Sequence, residues 1–123
     1  MIDTEKLARL RHAHDGLHAQ YMQTAQRAQQ AAAEIGPLLH AVAADPSKPR
    51  TAALLALPIP DLAETPRDEL QAAGFELRTV RKLHEAHTRA QTLRSEAEAL
   101  AAELQQSRAL LTRLNNYAKR FDE

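Results

Sequence analysis

Residues 83–114 read LHEAHTRAQTLRSEAEALAAELQQSRALLTRL, and this stretch decides the fold. Apolar or small side chains recur in it at alternating spacings of three and four residues, which is the repeat of a helix that packs lengthwise against another helix. The pattern continues to the end of the chain and predicts one long α-helix. Its members, which we call the second seam, are Leu83, Ala86, Ala90, Leu93, Ala97, Leu100, Leu104, Ser107, Leu111, Leu114, Ala118 and Phe121.

A matching pattern, the first seam, lies near the start of the chain. The two seams together predict an all-α fold, a long antiparallel helical hairpin of coiled-coil type with arms at residues 3–44 and 75–121. The arms have similar lengths of about 42 and about 47 residues, as such a hairpin requires. The first seam consists of Leu7, Leu10, His14, Leu17, Tyr21, Thr24, Ala28, Ala31, Ile35, Leu38 and Val42.

The two arms also predict a pairing register. Placing Val42 near Leu77 brings the remaining seam positions together in order along the hairpin. Two such pairs are Leu7 with Leu111 and Tyr21 with Ala97.

Two signals mark the first arm. Asp3 is a favourable N-cap for its first turn. Pro37 has no amide hydrogen and its ring collides with the carbonyl group of Ala33, so the arm is expected to be kinked near residues 36–37.

Residues 45–74 form the tip of the predicted hairpin. Prolines at positions 46, 49, 58, 60 and 66 forbid a long regular element and allow only short helical turns. A helix is predicted to start with Thr65 as its N-cap and Pro66 at its first position, and Gly74 is expected to interrupt it.

The composition predicts one domain, residues 1–123, with a thin core. Aromatic residues make up 3% of the chain and many seam positions are alanine, which buries little apolar area. A lone hairpin of this kind is expected to be marginally stable, so we predict a homodimer with a four-helix arrangement. Parallel pairing of separate chains is the structural alternative.

Several classes of site and location are disfavoured. The chain has no cysteine, and its 16 basic residues balance its 16 acidic residues, so no net positive field attracts nucleic acid. The longest apolar run, residues 52–57, is far shorter than the ~20 residues of a membrane span. We therefore expect a cytoplasmic protein that does not enter a membrane.

We assign no catalytic, cofactor or metal site. The glycines are isolated and no serine lies in a nucleophile elbow, so we expect no enzyme activity. His84 and His87, three residues apart, could form a three-histidine cluster with His40 in the antiparallel register. Surface histidines are the favoured interpretation, and His14 is interpreted as a polar seam residue that disfavours misregister.

The tip contains the densest apolar cluster of the chain. Exposed clusters of this kind mark interfaces, so we consider it a docking surface for a protein partner. The alternative is a structural cap folded over Leu70, Phe75 and Leu77. The cluster consists of Leu54, Leu55, Leu57, Ile59 and Leu62.

Residues 70–83 weakly resemble a helix-turn-helix whose turn is at Gly74. The resemblance implies that the basic turn at residues 78–89 contacts phosphates or bases. The side chains concerned are Arg78, Thr79, Arg81, Lys82 and Arg89.

The leading functional hypothesis is a non-enzymatic assembly, adaptor or chaperone-like protein that binds a protein partner. In length and shape the hairpin is similar to prefoldin-type and secretion-chaperone hairpins, but no motif is shared and no family is assigned. A phage- or plasmid-type regulator that binds nucleic acid is the first alternative. A small accessory inhibitor of a larger enzyme is the second.

Overall fold

The computed structural model describes the backbone of residues 4–122 and the side chains of residues 4–117. The fold is all-α: between residues 4 and 122 there is no β-strand, and one isolated antiparallel bridge joins Ala43 to Phe75. The helices are α1 (Thr4–Ala33), α2 (Ile35–Ala41), α3 (Pro49–Leu55), α4 (Ile59–Glu64), α5 (Arg67–Ala72) and α6 (Leu77–Asp122).

The chain divides into two compact units. Unit 1 comprises Met1–Gln26 and Leu93–Glu123, and its described residues are the start of α1 and the end of α6. Unit 2 comprises Arg27–Thr92 and holds the remaining helices. The predicted N-cap Asp3 lies outside the described residues.

Within unit 1, two hydrogen bonds join α1 to α6. His14 Nδ1 and Ser107 Oγ share a hydrogen bond of 2.8 Å, and Arg11 donates to Asn115 Oδ1 at 3.0 Å. Both bonds join an early residue of α1 to a late residue of α6, as in an antiparallel pair, which fits a helical hairpin. The predicted register placed His14 opposite Leu104, one helical turn from Ser107.

The burial pattern confirms both seams. Every described member of either seam is buried or half-buried, including the polar residue His14. Ala118 and Phe121 lie outside the described side chains. Among the described residues of unit 1, Ala97 and Leu104 are the two that are buried, while the seam leucines around them remain half-exposed. The core of unit 1 is therefore thin.

The first arm is interrupted at Glu34, between α1 and α2. Pro37 lacks the amide hydrogen that would bond to the carbonyl group of Ala33, which explains an interruption at this point. Glu34 keeps helical angles, with φ −71° and ψ −22°. The chain therefore continues as a second short helix after the interruption.

The tip folds into three short helices, each with a proline at or beside its start. Pro49 lies in the first turn of α3, Pro58 precedes α4 and Pro66 precedes α5. The predicted cap at Thr65 is wrong by one residue, because Pro66 has ψ 141° and itself occupies the N-cap position. Thr65 is extended, as a residue before proline prefers, and its hydroxyl donates back to the carbonyl group of Asp61 in α4.

Gly74 ends α5 in a Schellman motif. The amide of Phe75 donates to Leu70 and the amide of Gly74 donates to Gln71, while Gly74 has φ +81°. The amide of Glu76 then donates to the carbonyl group of Val42 at 2.9 Å. Because Phe75 forms this extended pairing, α6 begins at Leu77 and not at residue 75. For the same reason α2 ends at Ala41 rather than at residue 44.

The core of unit 2 forms where α2, α4, α5 and α6 meet. Thr51 of α3 is buried beside the end of α5, and its hydroxyl donates to the carbonyl group of Ala73 at 2.7 Å. At the start of the tip, the hydroxyl and amide of Ser47 both donate to Asp45, which lowers the pKa of Asp45 below its usual value. The core residues are Val42, Leu62, Leu70, Ala73, Phe75, Val80 and Leu83.

Replacing Thr51 with valine tests the buried hydrogen bond. Valine keeps the shape but removes the donor from the Ala73 carbonyl group, so the free energy of unfolding should fall by about 1–3 kcal/mol in urea denaturation. Thr24→Val is the matched control, because the hydroxyl of Thr24 also donates to a backbone carbonyl group, but this hydrogen bond is exposed to solvent and its residue is only half-buried. Equal effects of the two substitutions would contradict this role for Thr51.

Candidate functional site

The apolar cluster of the tip divides into inward and outward side chains. Leu62 is 1% exposed and belongs to the core of unit 2, so its prediction as a docking residue is wrong. Leu54, Leu55 and Ile59 are half-buried and pack against the same core. Leu57 is 39% exposed. The packing therefore favours the cap alternative for most of the cluster, and Leu57 is its most exposed member.

A shallow groove, the tip groove, lies beside this cap. It has a volume of about 460 Å³ and is bordered by helix α2 and the start of the tip. Leu39, on its wall, is 36% exposed, and Leu55 contributes the exposed part of its side chain. The lining residues are Gly36, Leu39, His40, Ala43, Pro46 and Leu55.

A second groove, of about 510 Å³, runs between α2 and α6 within unit 2. Its apolar lining residues include Pro37 and Leu38. Charged residues from both helical segments also line it: Glu34 on one side, and Lys82, Glu85 and Arg89 of α6 on the other. Arg89 Nη1 lies 3.6 Å from Glu34 Oε2 there, and both side chains are more than half exposed. An exposed ion pair of this kind contributes little to stability.

The basic turn at residues 78–89 presents its cations on one side of α6. Arg78, Arg81, Lys82 and Arg89 are all exposed, and at 100° per residue they lie within about 100° of one another. Glu85 is in the middle of the same face and reduces its positive charge. Arg89 is also paired with Glu34.

The burial of Thr79 argues against the helix-turn-helix hypothesis. This residue is buried, so it cannot contact a nucleic acid as that hypothesis implied. The preceding helix α5, Arg67–Ala72, has only six residues.

Sequence reasoning missed a small basic pocket, of about 250 Å³, formed where α4, α5 and α6 meet. Arg67, Arg81 and His84 provide its polar walls, and no carboxylate lines it. Arg67 and Arg81 are fourteen positions apart on different helices, so no sequence spacing relates them. The complete lining is Ala63, Thr65, Arg67, Leu70, Leu77, Val80, Arg81 and His84.

The histidines do not assemble into a metal centre in the described part of the chain. Groups of three or more histidine, cysteine, aspartate or glutamate residues with suitable geometry are absent there, so the hypothetical cluster of His40, His84 and His87 is not formed. His14 instead bonds to Ser107 across the helix pair of unit 1. This contact agrees with a polar position within the seam.

Unit 1 carries large apolar side chains on its outer surface. Met22 is 54% exposed and Leu110 is 43% exposed. Leu7, Leu10, Leu17 and Tyr21 of the first seam are half-buried. Unit 1 therefore exposes apolar area that a further helix can cover.

None of the helices within residues 4–122 combines the length and the apolar character needed to cross a lipid bilayer. Comparisons with protein-family models, with curated proteins and with solved structures found no match to this chain.

Proposed function

We propose that this chain is a non-enzymatic interaction protein that self-associates through the helix pair of unit 1. The single observation that supports this proposal is the size of its accessible surface. The chain exposes 9000 Å². A folded monomer of 13.6 kDa is expected to expose about 6,600 Å².

The excess surface is large enough for an interface. Stable complexes bury roughly 800 Å² on each partner, and the difference between the two areas is about 2,400 Å². Part of this surface is apolar, since the seam leucines of unit 1 are only half-buried. Covering them with a second helix pair would supply the burial that the thin core of unit 1 lacks.

A second copy of this chain is the occupant that fits the surface best. The chain has a formal net charge of zero at pH 7, so two copies do not repel each other. An isologous contact would cover exposed apolar side chains of unit 1, such as Met22 or Leu110, in both copies, in a coiled-coil-like, four-helix arrangement. The proposed dimer would leave unit 2 available to a protein partner.

The proposed partner surface of unit 2 includes the exposed side chains of Leu57 and Leu39. Leu39 lines the tip groove. An aliphatic or aromatic side chain of a protein partner suits this groove, because it would bury apolar area there. An inhibitor of a larger enzyme would use the same surface. The absence of cysteine is compatible with the reducing cytoplasm as its location.

Surface substitutions test self-association. We expect Met22→Gln with Leu110→Gln to raise the dimer dissociation constant at least 10-fold, because each change removes exposed apolar area without touching a core side chain. Light scattering after size-exclusion chromatography measures the effect. Leu39→Gln with Leu57→Gln is the matched control, since these side chains are similarly exposed but belong to unit 2. Equal dissociation of both double variants would contradict the assignment of the interface to unit 1.

Nucleic-acid binding is the second candidate function, favoured by the exposure of Arg78, Arg81 and Lys82. A regulator would bind duplex DNA with a salt dependence that disappears when these three residues become alanine. Failure to bind at ~50 mM salt would eliminate this candidate. The acidic residue Glu85, which lies within the basic face, makes it the weaker of the two.

A further inference from the structure

The basic pocket of unit 2 combines positive charge with an apolar floor. We propose that it binds a carboxylate that is attached to a small apolar group. The carboxylate could belong to a small organic acid or to the C-terminus of a protein that ends in an aliphatic residue. This inference goes beyond the proposed self-association, which uses unit 1.

The guanidinium groups of Arg67 and Arg81 are available to a ligand. Elsewhere in unit 2, Arg50 lies 3.4 Å from Glu69 and Arg89 lies 3.6 Å from Glu34. Among residues 4–117, no carboxylate comes within 4.0 Å of Arg67 or Arg81. The pocket therefore has two positive charges on its wall and no internal anion to neutralise them.

The donors of the pocket suit a carboxylate. A guanidinium group donates two parallel hydrogen bonds to the two oxygens of a carboxylate. His84 adds one N–H donor in either neutral tautomer. The hydroxyl of Thr65 already donates to the carbonyl group of Asp61 at 3.1 Å, so its proton is engaged within the protein.

The floor of the pocket favours a carboxylate over a phosphate. Leu70 and Val80 are buried beneath it, and Ala63 and Leu77 are half-buried at its sides. A phosphate group carries oxygen atoms on all sides, so those turned toward these apolar side chains would lose hydration without gaining a hydrogen-bond donor. A carboxylate has one charge to place beside the arginines, and the apolar group attached to it can cover the floor. The volume of about 250 Å³ limits that group to a few carbon atoms.

Titration of the full chain with N-acetyl-leucine tests the proposal, with N-acetyl-leucine amide as the uncharged control. We expect the NMR methyl signals of Leu77 and Val80 to shift and saturate, with a dissociation constant of about 1 mM. The amide should bind at least 10-fold more weakly, because it has no charge for the arginines. Hexanoate and a short peptide that ends in leucine distinguish the two sources: tighter binding of the peptide indicates a protein C-terminus, and equal binding indicates a small acid.

Three variants assign the binding to this pocket. Arg67→Gln and Arg81→Gln should each raise the dissociation constant for N-acetyl-leucine at least 5-fold. Arg113 is an exposed arginine of unit 1, so Arg113→Gln should leave this constant unchanged. Unchanged backbone spectra outside the pocket will show that each variant is folded. The proposal is overturned by the absence of saturation at about 20 mM ligand, by equal binding of acid and amide, or by tighter binding of inorganic phosphate or duplex DNA at the same residues. The unit 1 double variant, Met22→Gln with Leu110→Gln, should bind N-acetyl-leucine as the original chain does, so loss of self-association and loss of ligand binding can be told apart.

Discussion

Replacing Leu83 with alanine is expected to lower the free energy of unfolding by about 2–5 kcal/mol, the largest effect of any substitution considered. Leu83 is 0% exposed and lies on the face of α6 that packs against the core of unit 2. The substitution removes buried apolar atoms and leaves a cavity that the surrounding helices fill only in part. Since a domain is stable by only about 5–15 kcal/mol, this loss is a large fraction of the total.

Leu57→Ala is the matched control for Leu83→Ala. It removes the same atoms from a side chain that is 39% exposed, so most of the transfer and cavity cost is absent. Urea denaturation followed by circular dichroism compares the two variants. If their unfolding free energies differ by less than about 1 kcal/mol, Leu83 does not have the core role assigned to it.

Replacing Gly74 with alanine should destabilise the chain by about 1–2 kcal/mol, because a residue with a Cβ is strained in the left-handed conformation. Gly74 has φ +81°, and a Cβ built there meets no atom within 4 Å. The cost therefore comes from the backbone angle and not from a collision. Weakening this position loosens the Schellman motif, through which Phe75 enters the core.

Gly16→Ala should have the opposite effect on stability and raise the free energy of unfolding. Gly16 lies inside α1, and a Cβ there also meets no atom within 4 Å, so alanine should stabilise the helix by about 0.5–1 kcal/mol. Chemical denaturation of both variants measures the two changes side by side. A Gly74→Ala variant as stable as Gly16→Ala would show that the turn does not require a left-handed residue.

The buried faces of α1, α2 and α6 could be predicted from the sequence because helical geometry fixes which side chains share a face. Leu38 and Val42, for example, follow the first seam past the interruption at Glu34, and both are shielded from solvent. The helical repeat of the apolar residues is enough to identify this buried face, even when the element that packs against it is unknown.

The tip could not be predicted at the same level, because its helices are too short to show a period. Leu57 and Leu62 are chemically identical, yet one is exposed and the other is buried in α4, a helix of six residues. The start of α5 was misplaced for a similar local reason: Thr65 is extended before Pro66 and bonds back to α4 instead of capping α5.

The basic pocket also could not be found from the sequence. Its two arginines line one pocket because the Schellman motif at Gly74 turns the chain between α5 and α6. Their positions in the sequence give no sign of this proximity.

The most direct test of the central claim, self-association through unit 1, is the mass of the intact chain in sedimentation equilibrium. At about 100 μM we expect a dimer of twice 13.6 kDa that dissociates on dilution, because association depends on protein concentration. A single species of 13.6 kDa at that concentration, with a cooperative thermal transition, would contradict it.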